Sequence, residues 1–163
     1  MPRATADAKR RGDPQSAQFR LSDSPLYLIV RTAGRYAQEL ENALHASGMD
    51  LLSWRALMIV TEASPSSVSE IAERSVTRLS TMTRVVQRLQ RKKLVKLAKR
   101  RSDARVTEVH LTALGKRCVE NERATAGEIY RRATRDLTPS DITTLKRLTR
   151  RLFANLSPQA ARG

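Results

Sequence analysis

A single cysteine, Cys118, stands in a chain of 163 residues. One thiol closes no internal disulfide and builds no structural zinc site, and a reducing compartment is the default setting for such a chain. Aromatic residues amount to 4%. That argues against single-strand nucleic-acid binders, which stack bases on aromatic platforms. No apolar run approaches the roughly 20 residues that span a bilayer, and the N-terminal MPRATADAKRRGDPQSAQF lacks an apolar signal-peptide core. The expected location is the cytoplasm. His45, His110 and Cys118 show no metal-ligand spacing, so neither a metal nor another cofactor is expected. No Ser/His/Asp set, paired carboxylate or glycine-rich phosphate loop stands in a credible context, so no enzymatic activity is expected either. Acidic residues are also scarce, 16 against 31 basic, for a net charge of +15. Between Arg74 and Ser102 there is no acidic residue beside eleven Lys or Arg. Such an excess points to a polyanionic partner and says little about fold.

With 40% apolar residues the chain can build a core, and its length fits one domain. Residues 1–23 read as a flexible, mildly basic tail, and 157–163 as a short one. Ser24 and Pro25 open a first helix, along which Leu26, Ile29 or Val30, Ala33, Ala37, Leu40 and Leu44 recur at helical spacing. Gly48 ends it. Ser53 is the expected cap of a second helix, WRALMIVTEA, which SPSS breaks. Ser67-Val-Ser-Glu70 is a capping-box pattern for a short helix carrying Ile71 and Ala72. Thr77 is the expected cap of the next, about Arg78 to Lys92. There Leu79, Met82, Val86 and Leu89 share one face, Ser80, Arg84, Gln87 and Arg91 the other, with Thr81 and Arg88 flanking. LVKLA and RVTEVHL alternate like two strands joined by a basic tip, KRRSDA. Thr112 caps a long helix to about Leu137, with Cys118, Ala126, Ile129 and Ala133 on one side. Thr138-Pro139 starts the last, striped by Ile142, Leu145, Leu148, Leu152 and Leu156.

Two short helices joined by a brief turn, the second with a polar outer face, form a helix-turn-helix. Its second helix fits a major groove about 12 Å wide. A basic hairpin directly after it is a wing. Ser67 to Leu111 hold twelve basic and four acidic residues, a net of +8 and slightly over half of the chain's excess. The expected fold is mainly α with a small β-hairpin wing: a winged helix-turn-helix lobe over 51–111, with a helical dimerisation region from 24–50 and 112–156. Arg84 and Arg88 are the expected base readers, since arginine bonds guanine bidentately. Ser80, Thr81 and Thr83 are short donors near the helix start. At the wing, Arg100 and Arg101 supply charge, and Asp103 orients Arg105 toward DNA.

SEIAERSVTRLSTMTRVVQRLQRKKLV, followed by Asp103-Ala-Arg105 and Leu111-Thr112-Ala-Leu-Gly115, resembles the MarR-type winged helix-turn-helix regulators over about Leu26 to Leu156. The chain departs from that pattern at three places. A turn glycine is Val76, the glycine of Lys-Gly-Leu-Val is Lys93, which must take a positive φ or close the helix differently, and a wing arginine is Leu97. The resemblance implies a homodimer on palindromic double-stranded DNA, a repressor released by a small ligand. In this family effectors sit between the dimer helices and the DNA-binding lobe, where the chain offers Tyr27, Arg31, Arg35, Tyr36, His45, Trp54, Arg55 and Met58. Aromatic and apolar walls with a cation suit an aromatic acid or a bulkier aromatic thioester. Two alternatives use the same residues. One is a non-specific or architectural nucleic-acid binder, the other a regulator switched by oxidation of Cys118. An anionic-membrane binder would leave the turn and hairpin unexplained.

Overall fold

The computed structural model describes Asp7 and residues 9–157. The tail assignments for residues 1–6, 8 and 158–163 lie outside the described residues. Residues 9–12 form a helical turn and Leu21–Asp23 a 3-10 turn, and the Arg20 N–H donates back to the Arg11 carbonyl at 2.9 Å. Then follow α1 (Pro25–His45), α2 (Leu51–Glu62), β1 (Ser66–Ser67), α3 (Val68–Arg74), α4 (Leu79–Arg91), β2 (Val95–Arg100), β3 (Asp103–Leu111), α5 (Ala113–Ala133) and α6 (Pro139–Asn155). The chain divides into two compact units, one through Ile129 and one from Tyr130.

The first unit is built around α2, α3 and α4. Met82, Val85, Val86 and Leu89 of α4 are at most 4% exposed and meet Leu57, Val60, Ile71 and Ala72 in one apolar cluster. Burying each large side chain contributes about 1.5–3 kcal/mol. Leu40 and Leu44 of α1, Val109 of β3 and Val119 of α5 join the same cluster. Leu79 does not: as the first residue of α4 it is 52% exposed, and Val85 takes the inward place the sequence assigned to it.

Two expected caps move by a few residues. Asp50, not Ser53, caps α2. Its Oδ1 accepts the Ser53 N–H at 2.8 Å, which makes Ser53 the third helical residue. Thr77 does not cap α4, which starts after Arg78 without a side-chain cap. The Thr77 N–H instead donates to the Ala72 carbonyl at 3.0 Å and belongs to the end of α3. The capping box of α3 is present as the sequence reads it, with the Ser67 Oγ accepting from the Glu70 N–H and the Glu70 carboxylate accepting from the Ser67 N–H. These bonds hold the Glu70 carboxyl below its ordinary value, with Arg100 adding a smaller pull in the same direction.

Three helices end alike, and only one does so on glycine. After α1, the Gly48 N–H donates to the His45 carbonyl and the Met49 N–H to the Leu44 carbonyl. After α3, Val76 donates to Glu73 and Thr77 to Ala72. After α4, Lys93 donates to Gln90 and Leu94 to Leu89. This paired pattern is the Schellman motif, which requires a left-handed residue just past the helix. Gly48, Val76 and Lys93 have φ of 67°, 51° and 59°. Glycine takes that conformation freely, whereas an L-residue pays about 1–2 kcal/mol.

The wing is larger than the expected two-stranded hairpin. The sheet has three antiparallel strands in the order β1-β3-β2. Ser66, expected only to break a helix, and Ser67, expected to cap the next one, pair with Val109 and Glu108. Ser67 is extended because it caps α3, and extended backbone is free to pair. The strands β2 and β3 also reach further than expected, with Arg100 opposite Asp103, so Arg101 and Ser102 alone form the turn. At the other end of the hairpin the Thr112 Oγ1 accepts the Gly115 N–H at 3.0 Å and donates to the Lys93 carbonyl at 2.7 Å. Gly115 lies against the Leu94 carbonyl, where a β-carbon would come within 2.0 Å of the oxygen.

The second unit holds the end of α5 and all of α6. Ala133 ends α5, earlier than the expected Leu137, and Thr138 caps α6 with Asp141 in a second capping box. Within this unit Leu145, Leu148 and Phe153 are 50%, 45% and 60% exposed.

Candidate nucleic-acid interface

The buried row of α4 fixes what the opposite side presents. Ser80, Thr81, Arg84, Gln87 and Arg91 are exposed. Spacings of three and four set Ser80, Arg84, Gln87 and Arg91 in a single row. Arg84 has no side-chain partner among the described residues, so its planar donors are free for an acceptor. Gln87 belongs beside it: an amide at that place pairs bidentately with adenine as arginine does with guanine. Its spacing puts it on the polar face, and only its neutral side chain sets it apart from the residues expected to read DNA. Arg78, not among the residues expected to meet DNA, is exposed at the start of α4.

Not every expected reader is free. The Arg88 Nη2 donates to the Asp50 Oδ2 at 2.5 Å and to the Ser53 Oγ at 2.9 Å. It thus ties α4 to the start of α2 and is half-buried, a position that departs from the expected base contact. One turn on, the Lys92 Nζ donates to the Gly48 carbonyl at 2.7 Å. The Thr83 hydroxyl donates to the Leu79 carbonyl at 2.8 Å within its own helix.

The wing divides its charges between clasp and tip. The Arg100 Nε donates to the Glu108 Oε1 at 2.8 Å, and Nη2 lies 3.8 Å from Glu70. These contacts raise the guanidinium pKa, Glu108 most strongly, and they join β2 to β3 and to α3. Arg100 is therefore a clasp rather than a free contact. Arg101 is exposed in the turn and has no side-chain partner among the described residues. Asp103 accepts the Arg105 N–H at 3.0 Å, Nε at 3.1 Å and Nη2 at 3.4 Å. The Arg105 hydrogen bonds hold the Asp103 carboxyl below its ordinary value. The Arg105 side chain is 92% exposed, so the carboxylate sets the direction of a cation that projects into solvent.

The residues expected at an effector crevice are more scattered. Trp54 is core, 6% exposed. Tyr27 and Met58 are half-buried, and Arg31, Tyr36, His45 and Arg55 are exposed. Arg35 pairs with Glu39 at 2.9 Å. Arg55 lines a cavity of about 240 Å³ with Glu41, Asp50, Leu51 and Leu52. Cys118 is half-buried, and burial, with Glu122 adding to it, pushes its thiol pKa up. Among the described residues no group of three or more His, Cys, Asp or Glu is placed to hold a metal ion, and no helix is long and apolar enough to cross a membrane.

A buried-backed polar helix, a preceding short helix and a three-stranded wing define a winged helix-turn-helix DNA-binding lobe. The MarR family model matches residues 47–106. The HTH-type transcriptional repressor IacR of Pseudomonas putida is 36% identical over 144 residues, covering 88% of this chain and 86% of that protein. The chain belongs to the MarR family of transcriptional regulators. Solved structures share its fold. A MarR-family regulator from Silicibacter pomeroyi superposes with a TM-score of 0.80 at 23% identity, over 88% of this chain and 97% of that one. CouR from Rhodococcus jostii RHA1, bound to p-coumaroyl-CoA, gives 0.74 at 19% identity over 82% and 94%.

Proposed function

We propose that the protein is a cytoplasmic, homodimeric repressor that reads a palindromic double-stranded operator and is released by a small aromatic acid or aromatic thioester. One observation carries the reading: the exposed row Ser80, Arg84, Gln87, Arg91 lies opposite a fully buried apolar row on the same helix, beside a wing whose tip projects Arg101 and Arg105. Phosphates meet the tip, and bases meet the row. The relative whose name is that of a repressor supports that sense of regulation.

Dimerisation is supported by apolar side chains left in solvent. Leu26, Leu28 and Val30 of α1 are 50%, 46% and 70% exposed, alongside those of α6. Patches of this kind mark association surfaces, and a second copy covers them by two-fold symmetry. The dimerising segments are residues 24–50 and 112–156, and the half-site centres lie about 10 bp apart. The effector class draws support from the aromatic thioester held by CouR. Within this chain, Tyr27, Arg31 and Arg35 follow one another at four-residue spacing on α1, and Arg55 and Met58 lie three apart on α2, so cations and apolar groups share a face on each helix. A ligand that favours a lobe spacing mismatched to DNA lowers operator affinity by its differential affinity for the two states, typically about 1–3 kcal/mol.

The test is selection of duplexes from a random library, followed by sedimentation of the free protein. A two-fold symmetric site and a dimer at micromolar concentration are expected. A stable monomer, or a selected pool without symmetry, overturns the reading. Thermal-shift screening of aromatic acids and thioesters, repeated with the operator present, then tests release: a compound that stabilises the free protein and weakens DNA binding is expected, and a panel without one refutes the effector class.

A further inference from the structure

The exposed row of α4 is backed by the buried row Met82, Val85, Val86 and Leu89. Apolar burial is non-directional, so that row holds α4 against the lobe without fixing its roll about its own axis. Side-chain tips stand about 5–6 Å from a helix axis, so a roll of about 10° moves them about 1 Å, beyond the roughly 0.5 Å that a binding constellation tolerates. Directional bonds on the flank of α4 can set the roll. At helical spacing Arg88 and Lys92 stand one turn apart, between the buried and the exposed rows. Both reach the same short stretch, the junction of α1 and α2. The Lys92 Nζ donates at 2.7 Å to the carbonyl of Gly48, the left-handed residue that ends α1. The Arg88 Nη2 donates to Asp50 and to Ser53. This junction is itself held in place. The Asp50 carboxylate accepts the Ser53 N–H at 2.8 Å and the Ser53 hydroxyl at 3.0 Å, Ser53 is 3% exposed, and the Leu51 N–H donates to the Glu41 Oε2 of α1 at 2.7 Å. A continuous polar chain thus runs from α1 through the start of α2 to the flank of α4.

From this juxtaposition we propose that Arg88 is a positioning residue for DNA reading. Anchored on Asp50, it fixes the roll of α4 that aims Arg84 and Gln87 at the bases, and it touches neither base nor phosphate itself. The proposal rests on the reading of α4 as the base-reading helix. An Arg88 that met DNA instead would leave the half-buried Asp50 carboxylate without its cation. The two roles make opposite demands on Asp50. A positioning arginine needs its anchor, whereas a DNA-contacting one is freed when the anchor is removed.

The test is fluorescence anisotropy over a range of salt, with a palindromic operator selected from a random library and an unrelated duplex of equal length. The full-length protein is compared with Asp50→Asn, Arg88→Ala and the double variant. Asparagine caps a helix as well as aspartate does, so Asp50→Asn removes the anchor and keeps α2. Each single substitution should lower operator affinity about tenfold, the loss of one misaimed base contact. Affinity for the unrelated duplex should change far less, and the slope of log affinity against log salt should stay fixed. The double variant should lose no more than the larger single one, since both substitutions remove the same interaction. Urea unfolding confirms that each variant is folded under the assay conditions. If Asp50→Asn keeps or raises operator affinity, or if Arg88→Ala lowers the salt slope by about 0.9 for each phosphate left without its cation, Arg88 is a DNA contact and the proposal is overturned. An operator-to-unrelated ratio that all three variants keep also overturns it and leaves the tie a stability contact. A ratio near one in the unaltered protein overturns the reading of α4 itself, and the proposal with it.

Discussion

Replacing Val76 by glycine should make the protein more stable, although it removes a hydrophobic side chain. Val76 is 74% exposed, so almost no burial is sacrificed. Its φ of 51° is forced by the Schellman motif that ends α3. A non-glycine residue there costs about 1–2 kcal/mol, and a β-branched one sits at the upper end. Glycine gives back about 0.4–1 kcal/mol by loosening the unfolded chain. The net gain is about 1 kcal/mol for Val76→Gly and about 0.5 kcal/mol for Lys93→Gly, by the same subtraction. Gly48 provides the opposite sign at an equivalent position. A β-carbon there meets nothing within 4 Å, so Gly48→Ala should cost about 1 kcal/mol through the backbone alone. Urea unfolding measures all three. With a slope near 2 kcal/mol/M, each 1 kcal/mol moves the midpoint by about 0.5 M while the slope stays fixed. A lower midpoint for Val76→Gly together with an unchanged one for Gly48→Ala would refute the reasoning.

Gly115→Ala should destabilise by about 3 kcal/mol, since the added carbon meets the Leu94 backbone rather than a movable side chain; an unchanged urea midpoint contradicts this. Arg88→Ala should cost about 1 kcal/mol of stability, as expected for a half-exposed pair with one further hydrogen bond, and should leave the order of preferred DNA sequences intact in a competition assay. Arg101→Ala and Arg105→Ala should each weaken all duplexes alike and reduce the slope of log affinity against log salt by about 0.9 for each phosphate left without its cation; an unchanged slope in both variants removes the tip from the interface. The Glu70 carboxylate is held below its ordinary value by the Ser67 bonds. Its contribution to stability is therefore present at neutral pH and is lost as pH falls through that lowered value. Glu70→Gln should flatten this acid-side loss in denaturation curves, and an identical pH dependence would remove the capping box from it. Peroxide should leave DNA binding intact, because burial and Glu122 disfavour the Cys118 thiolate; loss of binding reversed by thiol would install Cys118 as the switch.

Much of the lobe was legible because its signals are local. The capping box at Ser67 and the threonine caps at Thr112 and Thr138 are short-range patterns, and each sits where the sequence places it. The apolar period of α4 fixed its buried side to within one residue. Non-local pairing was not legible. The strand at Ser66–Ser67 exists through its partners Val109 and Glu108, some forty residues on, and nothing in a serine pair announces this. Charge was the least informative guide to function. Arg84, Arg88 and Arg100 look alike in a basic run, yet Arg88 is bound to Asp50 and Arg100 to Glu108. Their acidic partners lie far away in sequence and share no spacing with them. For Val76 and Lys93 the resemblance to the family pattern marked a glycine as missing, and the structure supplies the positive φ adopted without it.

The most direct measurement compares affinity for a selected palindromic operator with affinity for an unrelated duplex of equal length. Fluorescence anisotropy at physiological salt reads both, for the unaltered protein and for Arg84→Ala. A ratio of about 10³ or more is expected for the unaltered protein. It should fall by about 1–3 kcal/mol of discrimination per altered base contact in the variant, with affinity for the unrelated duplex changing far less. A ratio near one, or one that Arg84→Ala leaves untouched, contradicts a sequence-reading role for α4 and points to a non-specific binder of the same charge.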